Sequence, residues 1–237
     1  NIGGTKAKLI LFFFYYGQAS GPEPQDATYG IVAESKELEL MKLGILISGR
    51  GSNMVALVDA VKSGEIPASE VAVVISDKPD AAGLEKARER GIETVVVERK
   101  GRSREDHDAE IIRELSKRGV ELVCLAGYMR LLSASFVKAF PNGIINIHPS
   151  LLPAFPGLDA QQQAFDAGVE VTGCTVHYVD ELLDHGQVIL QREVMRLPDD
   201  TVETLSARIL EQEHGLYIEA LKIIVAGEPA SASQDSL

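Results

Sequence analysis

Leu43-Gly44-Ile45-Leu46-Ile47-Ser48-Gly49-Arg50-Gly51-Ser52-Asn53 holds a strand, a tight turn and the opening of a helix in one short run. Leu43–Ile47 is apolar on both of its alternating faces, which predicts a strand buried on both sides. The glycines at 49 and 51 release the backbone for a turn. Met54, Leu57, Val58 and Val61 then recur at helical spacing. The same grammar repeats downstream. Strands are expected at Val71–Ile75, Thr94–Val97, Leu122–Ala126 and Ile144–Ile147, with helices at Leu84–Arg90 (stopped by Gly91) and Glu105–Arg118 (stopped by Gly119). Such alternation predicts an α/β fold, an open and mostly parallel sheet with helices on both faces.

After Pro153 the pattern changes. Gln161–Ala167 reads as a short helix. Thr172–Val179 and Gln187–Val194 are longer, alternating strands joined by Asp180–Gly186, too short for a crossover helix, so they are expected to form an antiparallel pair. Asp200-Thr201-Val202-Glu203 reads as a capping box with Asp200 as N-cap. The helix it opens runs to about Val225, and 228–237 should fray. No internal repeat is present.

Composition narrows the function classes. Of 237 residues, 45 % are apolar, enough for a proper core, and 23 basic against 35 acidic side chains leave a net charge of −12. An acidic surface repels nucleic acid and anionic membranes, so neither is an expected partner. A small anionic substrate would need a local positive site, built from helix-start amides and one or two Arg. Cys124 and Cys174 lie in apolar runs and read as buried thiols in a reducing cytoplasm. No zinc-type spacing of Cys or His is present, and no metal is expected.

The first forty residues differ in character. Phe12 to Tyr16 are consecutive aromatics, preceded by Lys6 and Lys8, and Gly21-Pro22-Glu23-Pro24 is linker chemistry. Residues 1–40 are read as an extension without a catalytic role. A targeting segment and an added edge strand or interface are the alternatives. Met41 is expected to be the native start, and 41–237 the functional domain.

Two stretches carry chemistry. Gly49–Asn53 sits between strand and helix, where unpaired amides and the helix dipole can hold a phosphate, with Ser52 and Asn53 as side-chain donors. A ligand-free turn is the structural alternative. A dinucleotide site is the rival, but its third glycine would fall at Met54, and its ribose acceptor would be Asp77, which sits in a turn. The second stretch is Asn146-Ile147-His148-Pro149-Ser150-Leu151-Leu152-Pro153. Asn146 and His148 have period-2 spacing, so their side chains point the same way at a strand's carboxyl end. Asp184, in Leu182-Leu183-Asp184-His185-Gly186, adds a carboxylate. An amide to bond an oxyanion, an imidazole to move a proton and a carboxylate to orient it suit acyl transfer to an amine.

Asn146–Pro153 also resembles the signature of the formyltransferase superfamily that uses 10-formyltetrahydrofolate. The resemblance covers about Met41 to Gly227. Within the superfamily it points to the branch whose acceptor is the amino group of glycinamide ribonucleotide, in purine synthesis. It implies that Asn146, His148 and Asp184 are catalytic and that Gly51, Ser52 and Asn53 hold the ribonucleotide phosphate. Glu213, in Glu213-His214, would take the amine or ribose hydroxyls. Met129, Arg130 and Leu132, in the Ala-Gly-aromatic-Met-Arg-x-Leu segment after the fourth strand, would hold the pterin, and Arg104 the folate's glutamate tail. His177 matches a family position and is assigned to structure. Gln161 stands where relatives usually carry His, and Leu210 where one bacterial branch has Gln. The resemblance further implies 10-formyltetrahydrofolate as the formyl-donating co-substrate, small-molecule partners only, and a monomer or homodimer. Hydrolysis of 10-formyltetrahydrofolate, methionyl-tRNA formylation and a non-catalytic folate- or nucleotide-binding protein are the competing functions. The last predicts loss of Asn146, His148 or Asp184, and all three are present.

Overall fold

The computed structural model describes residues 40–141 and 143–227. The expected extension before Leu40 and the expected fraying after Gly227 lie outside the described residues.

Seven strands form one sheet in the order β3-β2-β1-β4-β5-β6-β7. β1 (Met41–Ile47) is an inner strand and pairs in parallel with β2 (Ser69–Ser76) on one side and β4 (Leu122–Leu125) on the other. β3 (Thr94–Val96) extends the β2 side, and β5 (Ile144–His148) extends the β4 side, both in parallel. β6 (Val171–Tyr178) then runs antiparallel to β5, and β7 (Val188–Met195) antiparallel to β6. The expected antiparallel pair is thus present and continues the same sheet.

Both faces are covered. Leu43, Ile45 and Ile47 of β1 pack with Met54, Leu57 and Val58 of α1 (Ser52–Lys62), with Leu84 of α2 (Ala82–Glu89) and with α6 (Val202–Val225). Leu46, Val73 and Ile75 face the other way, against Ile111 and Leu115 of α3 (Arg104–Lys117) and Phe136 of α4 (Ala134–Ala139). α5 (Ala160–Asp166) is the remaining helix. The strands were readable because each buried one serves two apolar layers, which forbids alternation.

Two details differ from expectation. α4 was not foreseen, because six residues with a single fully buried side chain leave no period to read; its start is marked by Ser133, whose hydroxyl accepts from Phe136 N–H. The N-cap of α6 is Thr201 rather than Asp200. Thr201 and Thr204 exchange reciprocal side chain to backbone bonds, so the partner at N3 is Thr204, not Glu203. Asp200 is occupied elsewhere. Arg208 donates to both of its oxygens, and Leu197 N–H to one, which holds its carboxyl well below the usual range.

The longest helix, α6, lays Leu205, Ile209, Leu216, Ala220 and Leu221 on the core. Tyr217 on the same stripe is fully buried, and its hydroxyl donates to the carbonyls of Leu125 and Ile145 at 3.1 Å each. One phenol therefore fastens α6 to the ends of β4 and β5. Among the described residues no helix is long and apolar enough to cross a membrane.

Tyr217→Phe should lower stability by about 1–2 kcal/mol, the usual net value of a buried hydrogen bond plus part of the cost of an unmet acceptor. The check is a urea titration. The midpoint should fall with an unchanged slope, and an unmoved midpoint would show that the phenol bond contributes nothing.

Candidate active site

The strand order reverses between β1 and β4, so the chain leaves β1 toward α1 on one face and leaves β4 toward the α3–α4 face. Open α/β sheets bind ligands in the crevice that this creates at the carboxyl edge. A cavity of about 680 Å³ lies there, with walls that include Ser48–Asn53, Ala126, Gly127, Met129, Ile147, Pro149 and Glu213.

At the cavity's α1 end, Gly51 is the N-cap, with φ 68° and ψ 30° and no side-chain cap bond. Its left-handed conformation suits glycine, and so does its surroundings: a Cβ at 51 would stand 2.8 Å from the Cα of Gly83 in α2. Gly83 N–H in turn donates to Gly49 O at 3.0 Å. The turn is thus pressed onto α2, and the first amides of α1 are left for a ligand. Asn53 turns inward and donates from Nδ2 to Glu213 Oε2 at 2.6 Å, while its Oδ1 is buried without a partner. These residues are 160 positions apart. Glu213 reaches the cavity because it replaces an apolar residue on the core stripe of α6. Burial pushes its carboxyl up to about 7, against the opposing pull of the Asn53 bond and the Arg50 charge. Gln161 and Leu210 line the same cavity.

On β5, His148 is buried, and its Nε2 lies 2.9 Å from Phe155 O, so Nε2 carries the proton and donates it. Its Nδ1 faces Asp184 Oδ2 at 3.4 Å, longer than a hydrogen bond. Asp184 has φ 48°, uncommon for a residue with a side chain. The strain is balanced by Gly157 N–H, which donates to Oδ2 at 2.8 Å and ties the loop after β5 to the loop after β6. Asn146 Nδ2 lies 3.3 Å from His177 Nε2, and His177 Nδ1 lies 2.8 Å from Tyr178 O. His177 Nδ1–H therefore donates to the carbonyl and Nε2 accepts from the Asn146 amide. Burial lowers the His177 pKa, outweighing the carboxylate of Asp184, whose Oδ1 stands 3.7 Å from Nε2, and this favours the neutral ring.

The structure thus joins Asn146, His148 and Asp184 in one cluster, and it adds His177 at the centre. Sequence reasoning set His177 aside. The missing fact is the antiparallel β5–β6 register, which places Asn146 opposite His177 and His148 opposite Thr175. Thr175 and Gln191 are a further shell. Thr175 Oγ1 donates to Ser150 O and accepts from Leu152 N–H, and Gln191 Nε2 donates to Leu152 O, fixing the chain that leaves His148.

Past the switch point, Met129 is exposed on the cavity wall and Leu132 packs on the α3–α4 core. Arg130 Nη2 donates to Ser103 O at 3.4 Å, which brings it to the start of α3, where Arg104 is exposed. Arg130, expected at the pterin, and Arg104, expected at the glutamate tail, therefore share one rim. Asp77, the possible ribose acceptor of the rival reading, is fully buried 3.3 Å from Arg99 and does not line the cavity.

The formyl transferase family model matches residues 41–221. The phosphoribosylglycinamide formyltransferase of Escherichia coli K12 is 44 % identical over 178 residues, which cover 75 % of this chain and 84 % of that protein. The trifunctional purine biosynthetic protein adenosine-3 of Drosophila melanogaster is 47 % identical over 188 residues, 78 % of this chain. The chain spans only about 14 % of that relative's length. Among solved structures, glycinamide ribonucleotide transformylase 1 from Symbiobacterium toebii is similar with a TM-score of 0.78 and 47 % identity, covering 85 % of this chain and 94 % of that one. Phosphoribosylglycinamide formyltransferase from Brucella melitensis gives a TM-score of 0.75 at 47 % identity, over 81 % of this chain and 100 % of that one.

The raised Glu213 carboxyl has a consequence for stability. The native state keeps a proton that the unfolded chain, with a pKa near 4.5, releases, so stability falls as pH rises from about 4.5 to about 7. Glu213→Gln should remove that slope. Urea unfolding at pH values across this window should show the variant gaining on the wild type and the difference levelling off above about 7; a constant difference refutes the assignment.

Proposed function

The chain belongs to the formyl transferase family, and from that premise we propose that it transfers the formyl group of 10-formyltetrahydrofolate to the amino group of glycinamide ribonucleotide. The observation that carries this reading is the cluster of Asn146 and His148 on β5 with Asp184 in the loop after β6, beside a cavity that Ile147 and Pro149 help to wall and whose other end is a bare helix N-terminus. A phosphorylated amine fits that cavity, with its phosphate on the amides of Gly51, Ser52 and Asn53 and its amine or ribose hydroxyls toward Glu213. The formyl donor lies along Met129, Arg130 and Leu132 with its glutamate carboxylates toward Arg104 and Arg130.

The amine attacks the formyl carbon. A C–N bond forms, and the carbonyl electrons move to oxygen. Asn146 has one amide N–H committed to His177 and a second left for that oxyanion. His148 is anchored by Nε2–H on Phe155 O, so the proton it offers is on Nδ1, in the loose gap beside Asp184. Asp184 Oδ2 faces that nitrogen at 3.4 Å and takes up, through water, the proton that the amine loses. The bond from carbon to the folate nitrogen then breaks, and that nitrogen leaves with a proton. One oxyanion donor of this kind typically contributes about 3–4 kcal/mol.

We assign 41–237 as the transferase domain and 1–40 as an extension without a catalytic role. Cys124 and Cys174 are buried and unpaired, with thiols pushed up to about 12 by burial, which supports a reducing, cytoplasmic setting.

The deciding assay is release of the folate product from a 10-formyl-folate, followed by absorbance with and without glycinamide ribonucleotide. Release only with the ribonucleotide is the expected result. Release without it indicates a hydrolase, and release in neither case a binding protein. His148→Ala should lower kcat by roughly 10²–10³-fold or more while the ribonucleotide Kd stays within a few fold, and near-normal turnover would sink the assignment. Ser52→Ala should mainly raise KM for the ribonucleotide. A change confined to the folate KM would place the phosphate elsewhere.

A further inference from the structure

The two halves of the site lie on chain segments that diverge. The turn after β1 leads to α1 on one face of the sheet, and the segment after β4 leads to Leu132 and α4 on the other. One residue spans the divide. Ser48 N–H donates to Gly127 O at 3.1 Å, and Ser48 Oγ accepts from Met129 N–H at 2.9 Å. Ser48 is 4 % exposed and lines the cavity together with Gly49–Asn53 and Met129. Its hydroxyl donates no hydrogen bond among the described residues, so its own proton is available to the cavity.

The Gly127–Ser133 segment is also held at its far end. There Ser133 N–H donates to the buried Asp108 Oδ2 at 2.6 Å, and Arg130 reaches Ser103 O. Those anchors belong to α3 and the loop before it. The Ser48 anchor belongs to the residue that opens the glycine turn. The backbone height of Met129 is therefore set from the β1 side of the crevice. Any shift of the turn toward a bound phosphate moves the acceptor on which Met129 hangs.

We propose that Ser48 is a positioning residue that couples the two substrate sites, so that filling the phosphate turn orders the formyl-donor segment and the reverse. The inference rests on the reading given above, in which α1 holds the ribonucleotide and residues 129–132 hold the folate. Coupling between two sites is reciprocal, so each ligand must change the other's affinity by one common factor.

The test is calorimetric titration of the full chain with a folate analogue that lacks a transferable formyl group, with and without saturating ribonucleotide. The titration is then run in the opposite order. In the wild type each ligand should tighten the other by at least about 5-fold, the lower end of ordinary allosteric coupling. In Ser48→Ala that factor should fall to within about 2-fold of unity, although each ligand alone still binds. Ser48→Thr, which keeps the acceptor oxygen, should restore it, and thermal melts report whether each variant is folded. A residue with a merely local role would weaken one ligand and leave the coupling factor intact, and that outcome overturns the proposal. So does a wild type without coupling. Failure of the underlying reading looks different, because Ser52→Ala would then leave ribonucleotide affinity unchanged.

Discussion

A sheet buried on both faces can offer reactive atoms only along its edges and ends, and that constraint organises this molecule. With α1, α2 and α6 on one side and α3 and α4 on the other, the inner strands present apolar side chains to both layers. The carboxyl edge is where backbones leave the ladder, and at the β1–β4 reversal two of them leave in opposite directions. The crevice follows from topology before any side chain is chosen. Side chains then only have to dress it. Glycine does so after β1, an amide and an imidazole at the end of β5, and a carboxylate in the turn after β6.

Electrostatics follows the same economy. A chain with net charge −12 can hold anionic ligands because the attraction is local. Unpaired backbone amides at α1 and a rim made by Arg104 and Arg130 offer that attraction without a basic surface. Glu213 runs against this pattern, being a carboxyl on the wall of the same cavity. Burial resolves the conflict by holding its pKa near 7, where a large share of the molecules carry a neutral group that can still bond Asn53. The histidines divide labour in a similar way. His177 is kept neutral and holds an amide in place, and His148 is anchored through Nε2 on Phe155 O with its Nδ1 turned to the same carboxylate.

Much of this was legible in the chain. The buried strands announce themselves as Leu43–Ile47 and Leu122–Ala126 do, because two apolar layers leave no polar alternation. Gly51 marks a turn whose backbone needs it, and Asn146 and His148 share a face by simple period. What could not be read is whatever depends on register or on distance along the chain. His177 meets Asn146 only because β6 pairs with β5 in one antiparallel alignment. Glu213 meets Asn53 from the far end of the sequence, and only its place on the apolar stripe of α6 distinguishes it locally from a solvated glutamate. The cap of α6 shows a finer limit. Asp200, Thr201 and Glu203 all suit a helix start, and the choice fell to Thr201 because Arg208, about two turns further on, claims Asp200.

The contact between Gly51 and Gly83 changes how sequence variation in this chain should be interpreted. Position 83 belongs to a different helix and does not line the cavity, yet a side chain there would stand about 2.6 Å from Ile47 and 3.1 Å from Gly49 O and Gly51 Cα. It would press on the glycine turn from beneath. A variant at Gly83 would therefore disturb the cavity wall from outside it, and a catalogue of cavity-lining residues would misfile it as harmless.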